Sequence, residues 1–148
     1  MPFCPINEKT FADNSTNKCV RVCPANSYGD IVSGFCVLNC YGMYYADPSS
    51  NLCVAECPKY PPLYANLANN KCVPTCPPSY FSYENNRTCL IDCPINLYKQ
   101  NSTSSCVSQC KYSENSYADN NTGYCVLRCS VNSWADPTLR VCVSQCTD

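Results

Sequence analysis

Cys19-Val20-Arg21-Val22-Cys23-Pro24 returns 53 residues later as Cys72-Val73-Pro74-Thr75-Cys76-Pro77. Between them the same C-x3-C frame stands at Cys36 and Cys40 and at Cys53 and Cys57. It continues at Cys89 and Cys93, Cys106 and Cys110, Cys125 and Cys129, and Cys142 and Cys146. Successive first cysteines are 17, 17, 19, 17, 17, 19 and 17 residues apart, which is a repeat of about 17 residues inside a super-repeat of 53. Self-similarity at a fixed short period marks an array of stacked supersecondary units.

Other columns keep this register. The residue after each first cysteine is Val20, Val37, Val54, Val73, Leu90, Val107, Val126 or Val143. Eight residues before it stands an aromatic every time: Phe11, Tyr28, Tyr45, Tyr64, Phe81, Tyr98, Tyr117 and Trp134. Proline often follows the second cysteine, as at Pro5, Pro24, Pro58, Pro77 and Pro94. The long units carry two extra residues between the second cysteine and the aromatic. After the aromatic comes turn chemistry, as in Ala46-Asp47-Pro48-Ser49 and Ala118-Asp119-Asn120-Asn121. Asp and Asn bond their own backbone two residues on, and Pro presets φ. No helical apolar period of ten or more residues appears.

Composition explains why cysteine dominates. The chain has 148 residues, 17 of them Cys, while Leu, Ile, Val and Phe together number only 27. So few large apolar residues cannot build one ordinary core, and the cysteine share is that of a disulfide scaffold. A loop of about 15 residues closed by a disulfide is nominally worth about 3 kcal/mol. Each loop then needs only a local cluster of disulfide, Val and ring. The expected fold is therefore small, disulfide-rich, and β or irregular. Tandem single-disulfide hairpins or bows would stack into an extended rod, one continuous array over 1–148.

Two pairing schemes are simple. In the first, the second cysteine of one pair bonds the first of the next. That gives Cys4–Cys19, Cys23–Cys36, Cys40–Cys53, Cys57–Cys72, Cys76–Cys89, Cys93–Cys106, Cys110–Cys125 and Cys129–Cys142, with Cys146 left over. The units are then 4–19, 23–36, 40–53, 57–72, 76–89, 93–106, 110–125 and 129–142. In the second scheme each C-x3-C closes on itself and Cys4 is left over. An extended C-V-x-x-C would hold its cysteines about 13 Å apart, against the roughly 4.4–6.8 Å a disulfide needs. The second scheme thus requires a helical turn there. On the first, C-V-x-x-C is an extended rail advancing at most about 14 Å per unit, and the 53-residue period brings equivalent faces round every three units.

The unit C-V-x-x-C-P-x(3)-Y-x(n)-C-V-x-x-C resembles the single-disulfide module of furin-like cysteine-rich regions in growth-factor-receptor ectodomains. The resemblance runs through the whole chain. It implies the first pairing scheme, bow-like loops and modules stacked into a rod. Unbroken arrays of this kind are also similar to cysteine-rich surface proteins of ciliates and other protists. Two-disulfide knotted modules and receptor domains are absent, so no receptor role carries over.

Several chemistries find no support. The chain contains no His, and its 10 basic and 11 acidic residues are balanced. Imidazole catalysis is excluded, and no charge footprint for nucleic acid exists. No apolar run reaches the length of a membrane span. Zinc fits eight regular pairs poorly, and no cysteine stands in a context that would lower its pKa. The acids are scattered through turns, and only four Gly are present, without a phosphate loop. The expectation is no enzyme, no metal and no cofactor.

So much cysteine implies an oxidising, extracellular setting, secreted or on a cell surface. Sequons at Asn14, Asn86, Asn101 and Asn120 all fall between the aromatic and the next first cysteine, where a glycan is easily accommodated. The segment Met1-Pro2-Phe3-Cys4-Pro5 has no leader pattern. On the cysteine grid the counterparts of Cys4 and Cys146 fall outside the chain, so the sequence reads as a window cut from a longer array. The expected function is structural: a stapled repeat forming a surface coat, stalk or self-assembling fibril, whose partners are further copies or neighbouring repeats. The rival is a ligand-binding ectodomain of an adhesin or receptor. Its candidate loops are Tyr41-Gly42-Met43-Tyr44-Tyr45 and Lys59-Tyr60-Pro61-Pro62-Leu63-Tyr64, where aromatics cluster.

Overall fold

The computed structural model describes residues 4–5 and 8–146. The chain forms two compact units, Met1–Thr75 and Cys76–Asp148. Both consist of three-residue strands joined in antiparallel pairs, each pair one hairpin closed by one disulfide. The strands are short because each carries only one residue between the turn and the pair that opens the hairpin. The β-branched Val after the first cysteine suits a pleated, half-buried surface.

The first unit holds four hairpins: β1 (Phe11–Asp13) with β2 (Lys18–Val20), β3 (Tyr28–Asp30) with β4 (Phe35–Val37), β5 (Tyr45–Asp47) with β6 (Leu52–Val54), and β7 (Tyr64–Asn66) with β8 (Lys71–Val73). Register is constant. The aromatic opposes the Val, the next residue opposes the cysteine, and the third opposes the residue before the cysteine, as in Tyr45↔Val54, Ala46↔Cys53 and Asp47↔Leu52. The strand order is β7-β8-β5-β6-β3-β4-β1-β2.

Successive hairpins meet through parallel bridges: Ala12↔Phe35, Gly29↔Leu52 and Ala46↔Lys71. This has a geometric consequence. The strand β1 runs toward its turn, whereas β4 runs away from its own. For the two to be parallel, the turns must lie on opposite edges of the sheet. The same bridge sets Ala12, on the cysteine side of its hairpin, beside Phe35, on the aromatic side of the next. Each hairpin is therefore rotated by about half a turn about the stacking direction relative to the one before, exchanging both faces and edges. Three hairpins bring a module to the opposite orientation, so equivalent faces do not recur every three units.

The second unit repeats this plan with β9 (Phe81–Tyr83) and β10 (Thr88–Leu90), β11 (Tyr98–Gln100) and β12 (Ser105–Val107), β13 (Tyr117–Asp119) and β14 (Tyr124–Val126), and β15 (Trp134–Asp136) and β16 (Val141–Val143). Its parallel bridges are Ser82↔Ser105, Lys99↔Tyr124 and Ala118↔Val141. A 3-10 turn at Tyr112–Glu114 occupies one long loop.

The extended rail is corrected by the structure. Chain direction bends at the two residues after each Val, as at Arg21 and Val22, because the next cysteine must fold back over the sheet to reach its partner. Hairpins step along the hydrogen-bonding direction, about 5 Å per strand and so about 10 Å per hairpin, rather than about 14 Å along a strand.

Two backbone positions make the stack. The residue two before each first cysteine has positive φ: Asn17, Gly34, Asn51, Asn70, Arg87, Ser104, Gly123 and Arg140. At Gly34, Asn51, Gly123 and Arg140 the N–H closes its own turn, as Asn51 N to Asp47 O at 2.9 Å, and the carbonyl receives the preceding hairpin of the same unit, as Gly29 N to Asn51 O at 2.8 Å. Left-handed backbone lets one peptide serve both. The short loops use turns with positive φ at the third position, filled by Asn26, Ser79, Asn96 and Asn132. In the turn from Tyr41 to Tyr44 the positive φ moves one place earlier, to Gly42.

Candidate functional site

Eight disulfides join the second cysteine of one C-x3-C to the first of the next: Cys4–Cys19, Cys23–Cys36, Cys40–Cys53, Cys57–Cys72, Cys76–Cys89, Cys93–Cys106, Cys110–Cys125 and Cys129–Cys142. Their Cα–Cα distances are 5.5–5.6 Å throughout, inside the relaxed range. Cys146 is free and exposed. These bonds are the core, since ten or more cysteines and a few Ala make up most of its buried apolar residues.

The half-turn between hairpins decides what covers each bond. The aromatic of one hairpin lies on the same side as the disulfide and central small residue of the next. Tyr28 and Val37 pack against Cys40, Ala46 and Cys53; Tyr45 and Val54 pack against Cys57, Leu63, Ala65 and Cys72. Phe11 lies so close over Gly29 that a Cβ there would meet its ring at 2.6 Å. Phe11 and Phe81 are buried, five Tyr of the column are half-buried, and Trp134 is 51% exposed.

The third residue of six of the eight first strands caps the hairpin turn. Asp13, Asp30, Asp47, Asn66, Asp119 and Asp136 each accept a hydrogen bond from the N–H two residues on. Five residues at this position are buried: Asp13, Asp47, Asn66, Gln100 and Asp119. Asp30, Tyr83 and Asp136 at the same position are half-buried, one in every three hairpins, which is how the 53-residue period shows in the structure. Hydroxyls from Thr16 and Ser15 hold the Asp13 carboxyl below its ordinary range. At Asp47 burial pushes the carboxyl up, but hydrogen bonds from Ser49 and Ser50 outweigh it and leave the pKa low. Asp119 behaves alike, its burial outweighed by Ser130, Asn121 and Thr122.

One hairpin departs from the pattern. Lys99 stands where the others have Ala, Gly or Ser. Its ammonium lies 5.7 Å from the Phe81 ring centre and 4.9 Å from that of Tyr124, and it pairs with Asp92. The Asp92 hydrogen bond raises its pKa against the effect of burial. The cation thus fills the place of a ring-covered methyl, and its stem and two faces satisfy it locally. Beside it, Gln100 and Ser102 donate to Glu114 across the turn-to-loop contact. An open hollow is lined there by Tyr80, Phe81, Lys99, Asn101 and Tyr124.

All four sequon asparagines are exposed and stand in hairpin turns. Asn120 Oδ1 accepts from the Tyr98 hydroxyl at 2.6 Å, leaving its Nδ2 available. Of the two aromatic loops, Tyr41, Met43 and Tyr60 project into solvent, while Leu63 is buried. Among the described residues no three Cys, Asp or Glu converge as a metal site would require, and no helix is long and apolar enough to cross a membrane. The central small-residue column and the positive-φ column were not read from the sequence. Ala12, Gly29, Ala46, Ala65, Ser82, Ala118 and Ala135 would have marked the first. The second mixes Asn, Gly, Arg and Ser and leaves no residue signature. No protein-family model, curated protein or solved structure matches the chain.

Proposed function

We propose that this chain is a structural extracellular protein, a disulfide-stapled repeat that builds a surface coat, stalk or fibril through copies of itself or through neighbouring repeats. One observation carries the reading: every hairpin uses the same register and the same disulfide, and within each unit the same parallel bridge joins it to its neighbour, so the sequence is spent on stacking. Eight disulfides fit an oxidising compartment. The cysteine grid's resemblance to furin-like modules and to protist surface proteins supports the same setting, and glycans at Asn14, Asn86, Asn101 and Asn120 fit it. A role without catalysis agrees with a sequence that lacks His.

The Lys99 hollow favours a second reading, a ligand-binding ectodomain, since it breaks the repeat beside three rings. Its ammonium is already engaged by Asp92, which weighs for the structural reading.

The test is a non-reducing peptide map of the chain secreted from glycosylating cells, together with sedimentation equilibrium. Expected are eight intrachain links, glycans on at least two sequons and association at micromolar concentration. Free or metal-bound thiols among the sixteen paired cysteines of the secreted protein, or a saturable small ligand without any self-association, would overturn the proposal.

A further inference from the structure

The alternation of edges sorts the exposed apolar residues of the first unit in a way that sequence order hides. On one edge lie the turns of the second and fourth hairpins, the loop entering β5, and the bends that leave β2 and β6. The hydrogen bond from Asn70 Nδ2, in the fourth turn, to Cys40 O, at the start of that loop, ties these parts together. Val22, Ile31, Val32, Tyr41, Met43 and Leu67 all stand on this edge, 52–83% exposed. The opposite edge carries the first and third turns, the sequon at Asn14 and, among the described residues, only two large exposed apolar ones, Leu38 and Tyr60.

We infer that this apolar edge of the first unit is a self-association surface, on which the same edge of a second copy docks. The inference rests on the structural reading above and names its contact. Six side chains so exposed offer several hundred Å² of apolar area along one edge, the scale of the largest apolar patches on monomers, which are often functional. That is of the order of the about 800 Å² per partner that a standard interface buries. The row advances at the hairpin step of about 10 Å, so a partner must share that step to meet all of it, and a second copy does. A two-fold pairing of one edge with itself is self-complementary. Charges on the edge are mixed, with Arg21 against Glu56, so like edges do not repel and no basic cluster draws the edge to an anionic membrane. The sequon at Asn14 lies on the other edge and leaves this one clear.

Two single substitutions test it with a glycan wedge. Ile31→Asn creates a sequon with Val32 and Ser33 at the turn position that Asn14 holds in the first hairpin. Pro48→Asn creates one with Ser49 and Ser50 at the same turn position on the opposite edge. Both are made in the full secreted chain, with occupancy checked by intact mass and association by sedimentation equilibrium. The expected result is at least tenfold weaker association for Ile31→Asn and no change for Pro48→Asn. Tyr41→Ser with Met43→Ser, which adds no glycan, should weaken association likewise. Association that both wedges weaken alike, or that neither weakens, overturns the assigned edge and leaves self-association standing. A wild type that is monomeric at every concentration overturns self-association itself. A monomer that floats with phosphatidylcholine vesicles unless Ile31 is changed would give the edge to lipid and overturn the proposal.

Discussion

Asp47 shows what one residue does for a module. Its Oδ1 takes the Ser49 N–H at 2.9 Å and the Ser49 hydroxyl at 2.6 Å, while Oδ2 takes the Ser50 hydroxyl at 2.7 Å. These bonds favour the ionised form, so the folded pKa lies below its ordinary value of 3.8. A depressed carboxyl contributes stability above the unfolded pKa and loses it as pH falls through the folded value. Protection of the Ser49 amide, taken relative to its intrinsic exchange rate, should therefore fall below about pH 3.8. Asp47→Asn keeps the acceptor, as Asn66 does in the next hairpin, and should exchange without that acid dependence. An equal acid response in both proteins would remove the carboxylate from the account. Gly29 carries a steric argument instead. Ala fills most of its column elsewhere, yet here the Phe11 ring leaves no room for a Cβ. Gly29→Ala should destabilise the second hairpin by about 1–3 kcal/mol, the usual cost of overpacking. Native-state exchange of the Gly29 amide, bonded to Asn51 O, reads it directly. Unchanged protection would mean that the ring moves aside freely.

At the scale of the hairpin, the disulfide replaces a core. The Cys40–Cys53 bond is almost wholly buried between Ala46, Tyr28 and Val37. Replacing both cysteines with Ser should cost about 3 kcal/mol from loop closure alone, in a module with little else to hold it. Because each hairpin bonds only its neighbours, the loss should stay local. Protection should fall in β5 and β6 and at Gly29, whose acceptor is Asn51, and persist in β1 and β2. Loss across the whole chain, read by hydrogen exchange, would show a cooperativity that the hairpin ladder does not predict. The hairpin was legible because its marks recur in fixed columns: Cys, Val, ring, and Asp or Asn at the turn. The half-turn between hairpins was not. It depends on single parallel bridges such as Ala12↔Phe35, and no residue type announces a register of one. The extended reading of C-V-x-x-C failed for the same reason, since Arg21 and Val22 are unremarkable residues in a segment that must bend only because Cys36 lies back over the sheet. Lys99 could be read as a break in its column only once that column was known to lie under a ring.

At the scale of the whole chain, the division into Met1–Thr75 and Cys76–Asp148 falls between two complete sets of bonds. Cys57–Cys72 closes the last disulfide of the first unit, and Cys76–Cys89 opens the second, so no disulfide spans the boundary. Each unit has four hairpins, four disulfides and its own parallel bridges. In a quasi-one-dimensional array, stability is close to a sum of module and nearest-neighbour contributions, so each unit carries its own module and neighbour contributions when the chain is cut between them. The two halves expressed separately in an oxidising compartment should each form their own four disulfides. Each should keep the amide protection of its interior hairpins, β3 to β6 in the first and β11 to β14 in the second. A disulfide map and hydrogen exchange of both halves check this. Scrambled bonds or global loss of protection in either half would mean that its stacking depends on the other, and the additive picture of the array would have to be given up.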